Sequence, residues 1–148
     1  MFKIYMDNCC YNRPFDDQSK IRISIETSAK LFIQKLIVDR KIDMVWSYIL
    51  FVENYDNPFM VRREAIFDFA RNATDVITAN KKIVGKAKEI QKRGIKEKDS
   101  LHLACAIYGE CKYFITTDDR ILKYKDEMID IVDPVQFIKI WEGVVKDE

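Results

Sequence analysis

The stretch FITTDDRIL, residues 114–122, joins a strongly apolar run directly to two adjacent carboxylates, Asp118 and Asp119. The run KYFIT (112–116) has the composition of a buried strand, and aspartate is common in the turn that follows a strand. The same charge could instead hold a metal ion or a reacting phosphate. The choice between these readings depends on whether other acids occupy corresponding places in the chain.

Short apolar runs alternate with segments of helical periodicity along the chain. The expected strands are FKIYM, IDMVW, DVITA, KYFIT and IDIV, at residues 2–6, 42–46, 75–79, 112–116 and 129–132. Helices are expected over 18–40, from 48 to the Asn57-Pro58 break, over 59–73, around 83–90, over 97–109 and 120–128, and from 134 through 141. Strands separated by helices are typical of a mainly parallel sheet covered on both faces. We therefore expect a single α/β domain over residues 1–148.

The longest predicted helix follows a polar loop after the first strand. Its apolar residues recur at spacings of three and four, which predicts an amphipathic helix whose apolar side carries Ile21, Ile25, Ala29, Phe32 and Leu36. Ser47 is expected to cap the next helix, and Gly94 to end a later one. Asp133-Pro134-Val135-Gln136 has the pattern of a capping box with proline at the first helical position.

Composition is that of an ordinary globular chain. Of the 148 residues, 48% are hydrophobic and 33% charged, and the formal net charge of +1 gives no strong field to recruit nucleic acid. The N-terminal stretch is too short for a signal peptide and no run approaches membrane-spanning length, so we expect a cytoplasmic protein with no membrane partner. Four cysteines lack C-x-x-C spacing, which favours reduced thiols over zinc or disulfide roles.

Four acids are candidates for a functional site. Asp7 ends the first strand as Asp118 ends the fourth, and ligands of open α/β sheets bind beyond the carboxyl ends of strands. Glu53 lies in YILFVEN, a helix so apolar that a carboxylate on it must be paired, bound to metal, at an edge or turned to solvent. Asp99 lies in the first turn of a helix, where the helix dipole alone favours negative charge. Each acid has an ordinary structural explanation, and only the set indicates a site.

No other catalytic equipment stands out in the sequence. There is no glycine-rich phosphate loop and no Ser or Cys with a histidine partner, and the single histidine, His102, is interpreted as structural. Two carboxylates about 4 Å apart repel by roughly 4 kcal/mol at an effective dielectric constant of 20, and a divalent cation removes that repulsion. Oxygen ligands suit Mg²⁺ or Mn²⁺, which can support an in-line phosphoryl displacement. The chemistry implied is phosphodiester hydrolysis.

The acids and their flanking residues together resemble the PIN-domain family, and within it the subgroup similar to VapC-type toxins. The segments that carry the resemblance are MDNCCYNRPFDDQ (6–18), SYILFVEN (47–54), KDSLHLACA (98–106) and FITTD (114–118). The likeness runs from residue 3 to about residue 138. Its specificity lies in the acids together with their neighbours, because each motif alone would be weak.

The resemblance implies a three-layer α/β/α sandwich with a five-stranded parallel sheet and a metal-dependent endoribonuclease that cuts single-stranded RNA. By position, Asp7, Asp99 and Asp118 resemble the ligands of Mg²⁺ or Mn²⁺. Glu53 resembles the fourth acid, which assists metal binding or orients the attacking water, and Thr116 the small polar residue near the last acid. The resemblance also implies a homodimer and a cognate antitoxin protein that covers the acidic groove.

The sequence departs from the family pattern at the first acid. Asp7-Asn8-Cys9 stands where family members often have Asp-Thr-Asn or Asp-Thr-Ser, which changes the side chains that can hydrogen-bond near Asp7, and Asn8 could support it. A PIN-like fold that has become a binding or scaffolding module is one alternative, but it is expected to lack one of the acids. A phosphatase or receiver-like domain is another, but no convincing lysine follows FITTD. Asp119 is interpreted as a turn or solvent residue beside Asp118.

Overall fold

A five-stranded sheet forms the centre of the molecule in a computed structural model that describes residues 2–147. Its strands are β1 (Lys3–Met6), β2 (Asp43–Ser47), β3 (Asp75–Ile77), β4 (Tyr113–Ile115) and β5 (Asp130–Val132). They lie in the order β3-β2-β1-β4-β5, and every neighbouring pair is parallel. The chain builds outward in one direction from β1 to β3 and then crosses to β4, so the order reverses between β1 and β4.

Eight α-helices and one short 3₁₀ helix are present within the described residues. They are α1 (Asn8–Asn12), the 3₁₀ helix (Arg13–Phe15), α2 (Ile21–Val38), α3 (Tyr48–Tyr55), α4 (Met60–Ala70), α5 (Lys81–Lys92), α6 (Glu97–Tyr108), α7 (Asp119–Leu122) and α8 (Pro134–Asp147). Helix α2 packs on α8 and α5 packs on α6, which gives a layer on each face of the sheet. The predicted α/β/α sandwich with a mainly parallel five-stranded sheet is confirmed.

Strand alternation decides which helices each face meets. Tyr113, on one face, contacts the ring of Phe137 in α8 with centroids 5.6 Å apart. The next residue, Phe114, points to the opposite face, where Tyr5 of β1 stacks on it at 5.4 Å. Both faces are buried, as the continuous apolar strands predict for a parallel sheet.

Several local predictions are confirmed by their hydrogen bonds. The Ser47 hydroxyl accepts from the Leu50 N–H and caps α3, and Gly94 follows α5 with φ of 102°. Asp133 and Gln136 exchange two 2.8 Å bonds between side chain and backbone, as the capping box requires. These signals were readable because each depends on residues close together in the chain.

Three predicted boundaries are wrong. The polar loop after β1 is helical, forming α1 and the 3₁₀ helix, because the Asp7 carboxylate accepts the Asn8 N–H and caps the turn. The helix predicted over 120–128 ends at Leu122, and an antiparallel bridge between Asp126 and Ile129 follows. Helix α8 continues beyond Trp141 to Asp147.

The predicted apolar side of α2 is wrong in part. Ile21, Ile25 and Phe32 are exposed, by 78%, 52% and 42%, whereas Ala29 and Leu36 are buried as expected. The inward positions that periodicity alone did not identify are Glu26, Lys30, Ile33 and Ile37. Glu26 tolerates burial because Arg13 and Arg22 both donate to its carboxylate.

The four cysteines are free thiols, as the sequence predicted. None of the helices described over residues 2–147 combines the length and the apolar character needed to span a bilayer.

Candidate active site

The carboxyl ends of β1 and β4 lie side by side at the point where the strand order reverses. Asp7 follows β1 directly, and its backbone N–H donates to the Ile115 carbonyl at the end of β4 at 2.9 Å. Thr116 and Asp118 follow from that same strand end. The topology therefore brings together two acids that are 111 positions apart in the sequence and places them where open α/β sheets bind ligands.

The Asp7 carboxylate is buried and held by donors on both of its oxygens. Oδ1 accepts from the Asn8 N–H at 2.8 Å, and Oδ2 accepts from the Thr116 hydroxyl at 2.9 Å. The Cys9 thiol lies 3.5 Å from Oδ2. Asn8 supports Asp7 through its main chain, because the Asn8 side-chain oxygen accepts from Asn12 instead.

Thr116 connects the first and the last acid. Its buried hydroxyl donates to Asp7 and accepts from the Asp118 N–H at 3.1 Å. Asp118 caps α7 by accepting the Arg120 N–H, and its side chain keeps 29% of its surface exposed. One hydroxyl thus fixes the Asp7 carboxylate and the backbone that carries Asp118.

Asp99 faces the other acids from the first turn of α6. Burial raises the pKa of its carboxyl group, and the negative charges of Asp7 and Asp118 raise that pKa further, with a smaller contribution from Glu53. Within residues 2–147 no hydrogen-bond donor contacts the Asp99 carboxylate. Asp99 is therefore a half-buried acid held against like charge without a local partner.

Glu53 turns inward although the two residues before it on α3 turn outward. Its side chain is 16% exposed and one carboxylate oxygen contacts the Nε2 of His102, whereas Phe51 and Val52 are half-exposed. Pairing was one of the outcomes left open for a carboxylate in this apolar helix, and the structure shows it. His102 lies one helical turn after Asp99, so α6 brings an acid and the partner of another acid to one side.

Asp119 points away from the four candidate acids. Both of its oxygens accept from the Arg22 guanidinium, at 2.8 and 2.9 Å, and the side chain is 64% exposed. Hydrogen bonding to Arg22 lowers the pKa of Asp119. Adjacent residues at the end of β4 therefore have different surroundings, because the charge of Asp118 helps to raise the pKa of Asp99, whereas Asp119 pairs with Arg22.

The donor set suits a hard divalent cation in its chemistry. Asp7, Asp99 and Asp118 offer only oxygen atoms, and the charge repulsion at Asp99 is the kind that a cation relieves. Across residues 2–147, however, no three acidic, histidine or cysteine side chains already converge closely enough to hold one ion. The charges of Asp7 and Asp118 raise the pKa of Asp99, but the three side chains leave a gap between them.

Comparison with known proteins identifies a similar fold. No protein-family model matches the sequence, and no curated protein matches it. One chain of the crystal structure of VapBC2 from Rickettsia felis, bound to a DNA fragment from their promoter, superimposes with a TM-score of 0.56 at 13% identity. The match covers 88% of this chain and 97% of that one. At this identity the likeness shows the fold alone, which is the α/β/α sandwich with a parallel five-stranded sheet expected from the sequence.

Proposed function

We propose that this protein is a metal-dependent endoribonuclease that hydrolyses phosphodiester bonds in single-stranded RNA. The observation that carries the proposal is the meeting of Asp7 and Asp118 at the strand-order reversal, joined by Thr116 and facing Asp99. Three acids at this position, with no nucleotide loop in the sequence, favour phosphodiester chemistry over the other reactions typical of α/β folds.

Asp7, Asp99 and Asp118 would hold the Mg²⁺ or Mn²⁺. When bound, such an ion supplies positive charge against the charge that develops on the phosphate and lowers the pKa of an attacking water. Thr116 keeps the Asp7 carboxylate oriented, as outer hydrogen bonds do for ligating groups. These residues determine where the scissile phosphate is held.

Glu53 would orient the attacking water. One of its oxygens is engaged by His102, which leaves the other free to accept a hydrogen bond. A carboxylate that accepts a water proton must lie within hydrogen-bond reach of that water in the substrate complex. The mostly buried position of Glu53 fixes the direction of its side chain.

The toxin role rests on two lines of support. The sequence resembles VapC-type toxins, and a solved structure with a similar fold is a VapBC2 complex. We propose accordingly that a cognate antitoxin protein covers the acidic groove, with an arginine directed at the carboxylates, and that the enzyme meets its RNA in the cytoplasm.

A homodimer is part of the same proposal. The segment from α3 to the start of α4 carries exposed apolar side chains that a second copy could cover, namely Phe51, Val52, Tyr55, Phe59, Met60 and Val61. Sedimentation of the purified protein measures this directly, and a monomer at all concentrations would remove the dimer from the proposal.

The test of the proposed function is cleavage of a labelled single-stranded RNA by purified protein with Mg²⁺, with Mn²⁺ or with EDTA. We expect cutting only with a divalent ion, and none by Asp99→Asn. Glu97→Gln is the matched control, because Glu97 lies in the same first turn of α6 but is exposed. Cleavage in EDTA, or equal cleavage by Asp99→Asn, would contradict the proposal.

The alternative is a PIN-like binding or scaffolding module without catalysis. The observation that favours this alternative is the gap between the acids. Within the described chain, no three of these side chains already form a cation site. A folded wild-type protein that cuts no RNA with either ion and binds neither ion would establish that alternative.

A further inference from the structure

A buried hydrogen-bonded chain runs from the start of α3 to the carboxylate of Glu53. Ser47 Oγ lies 2.6 Å from the Tyr5 hydroxyl, which lies 2.6 Å from His102 Nδ1, and His102 Nε2 contacts Glu53. Ser47, Tyr5 and His102 are each at most 1% exposed. Burying this many polar groups is costly unless each donor has an acceptor.

In one arrangement of protons, every group in this series of hydrogen bonds has a partner. In this arrangement the Leu50 N–H donates to Ser47 Oγ at 3.2 Å, and the Ser47 hydroxyl is assigned as the donor to the Tyr5 oxygen. The Tyr5 hydroxyl donates to His102 Nδ1, which leaves the proton of a neutral imidazole on Nε2, directed at Glu53. The Tyr5 hydroxyl is fully buried between Ser47 and His102, which are its two hydrogen-bond partners.

The series of hydrogen bonds connects three elements that each carry or directly precede a candidate acid. Ser47 caps α3, the helix that bears Glu53. Tyr5 lies in β1, two residues before Asp7, and His102 lies in α6, three residues after Asp99. A purely structural histidine could lie anywhere in the core, but His102 forms a hydrogen bond with the Glu53 carboxylate at the candidate site.

We infer that His102 is a positioning residue, held in its Nε2–H tautomer by Tyr5 and Ser47 so that it fixes the Glu53 carboxylate in the direction that orients the attacking water. The inference rests on the proposed nuclease function for its catalytic consequence. The hydrogen-bonded chain and the tautomer do not depend on that function and are measurable without RNA.

The first test is the tautomer itself. His102 is the only histidine in the chain, so ¹⁵N–¹H correlation spectra of the imidazole report this residue without assignment. We expect the Nε2–H tautomer in the wild type. Tyr5→Phe keeps the ring that stacks on Phe114 but removes the donor to Nδ1, so the tautomers should mix. An Nδ1–H ring or an imidazolium in the wild type would overturn the inference without any variant.

The second test separates positioning from packing. In RNA cleavage, His102→Leu should lower kcat about 10- to 100-fold with KM little changed, the size typical for losing an outer hydrogen bond to a functional group. His102→Gln should recover most of that loss, because its amide can donate to Glu53 and accept from Tyr5. Equal kcat for the Leu and Gln variants, both folded by circular dichroism, would show that the donor does not matter and would contradict the inference.

The two tests distinguish failure of the proposed nuclease function from failure of the positioning role of His102. A wild-type protein that cuts no RNA refutes the proposed function, while the tautomer spectrum still decides whether the chain of hydrogen bonds exists. A wild type that cuts RNA with an Nδ1–H ring refutes the positioning role and leaves the nuclease intact.

Discussion

The Thr116 hydroxyl donates to the Asp7 carboxylate at 2.9 Å and in turn accepts the backbone N–H of Asp118. Through this one oxygen the acid after β1 and the acid after β4 share a fixed geometry. Because the hydroxyl is buried, its loss would leave the Asp118 N–H without its acceptor and one Asp7 oxygen without its side-chain hydroxyl donor. The relationship makes Thr116 a sensitive test of how the site is held.

Thr116→Val removes the hydroxyl with almost no change in shape. We expect RNA cleavage to fall about 10- to 100-fold, as for other outer hydrogen bonds to ligating carboxylates. Thr116→Ser restores the hydroxyl and should keep most of the activity. The measurement is the single-turnover rate with Mn²⁺ for both variants. Comparable rates for the valine and serine variants would mean that the bond to Asp7 has no functional role.

Asp99→Asn should raise the thermal stability of the protein in EDTA. Burial and the charges of Asp7 and Asp118 disfavour the ionised carboxylate of Asp99, and the substitution removes that charge. Thermal unfolding in EDTA of the wild type, Asp99→Asn and Glu97→Gln measures the effect, with the last variant as the exposed control in the same helical turn. A lower midpoint for Asp99→Asn alone would show that this acid is structural.

Lys30 gives the stability a dependence on alkaline pH. Its side chain is buried with Gln34 as hydrogen-bond partner and the rings of Tyr11 and Phe69 nearby, and no carboxylate within the described chain pairs with it. Burial lowers the pKa of Lys30 to about 8. Between that value and its ordinary pKa of 10.5 the unfolded chain holds more protons, so Lys30 makes the free energy of unfolding rise with pH in that window.

Lys30→Met should therefore be more stable than the wild type at pH 7, by about 1–3 kcal/mol, with the advantage shrinking toward pH 10. Urea unfolding at pH 7, 8.5 and 10 measures the difference. Lys35→Met, an exposed site on the same helix, should show no pH-dependent difference. A Lys30→Met advantage that stays constant with pH would contradict the lowered pKa.

Two glycines should respond to alanine in opposite directions. Gly94 has φ of 102°, where a side chain is strained, while nothing lies within 4 Å of an added Cβ. Gly94→Ala should cost about 1–2 kcal/mol of stability. Gly85 lies inside α5 with the same free space, so Gly85→Ala should add about 0.5–1 kcal/mol. Chemical denaturation of both variants checks the pair, and a loss of equal size at both positions would refute the backbone explanation.

The sequence predicted the sheet well because each strand carries its own apolar signal. FKIYM and KYFIT read as strands without reference to one another, and the acids that end them follow at once. The α1 helix was missed because the local cap by Asp7 acts together with tertiary burial, which the sequence does not show. Cys10 and Tyr11 are buried, and Asp7 serves both as a cap and as a site residue.

The pairing of Glu53 with His102 lay beyond sequence reasoning. The two residues are 49 positions apart, and the flanks of His102 are apolar, so its neighbours indicated only a core position. The three-residue spacing of Asp99 and His102 on one helix was the available signal, since it places both on one side of α6. The prediction of the apolar side of α2 was wrong for a related reason. Ion pairs with Arg13 and Arg22 allow Glu26 to be buried.

The most direct test of the account compares two adjacent acids that the structure separates. Asp118 is linked to Asp7 through the Thr116 hydroxyl, whereas Asp119 is exposed and bound to Arg22. The measurement is the rate of single-stranded RNA cleavage in Mn²⁺ by Asp118→Asn and Asp119→Asn, both checked for folding. We predict that Asp118→Asn loses cleavage by at least about 100-fold, as expected for loss of a group that acts on the transition state, while Asp119→Asn stays near the wild type. Full activity in Asp118→Asn, or loss confined to Asp119→Asn, would contradict the proposed site.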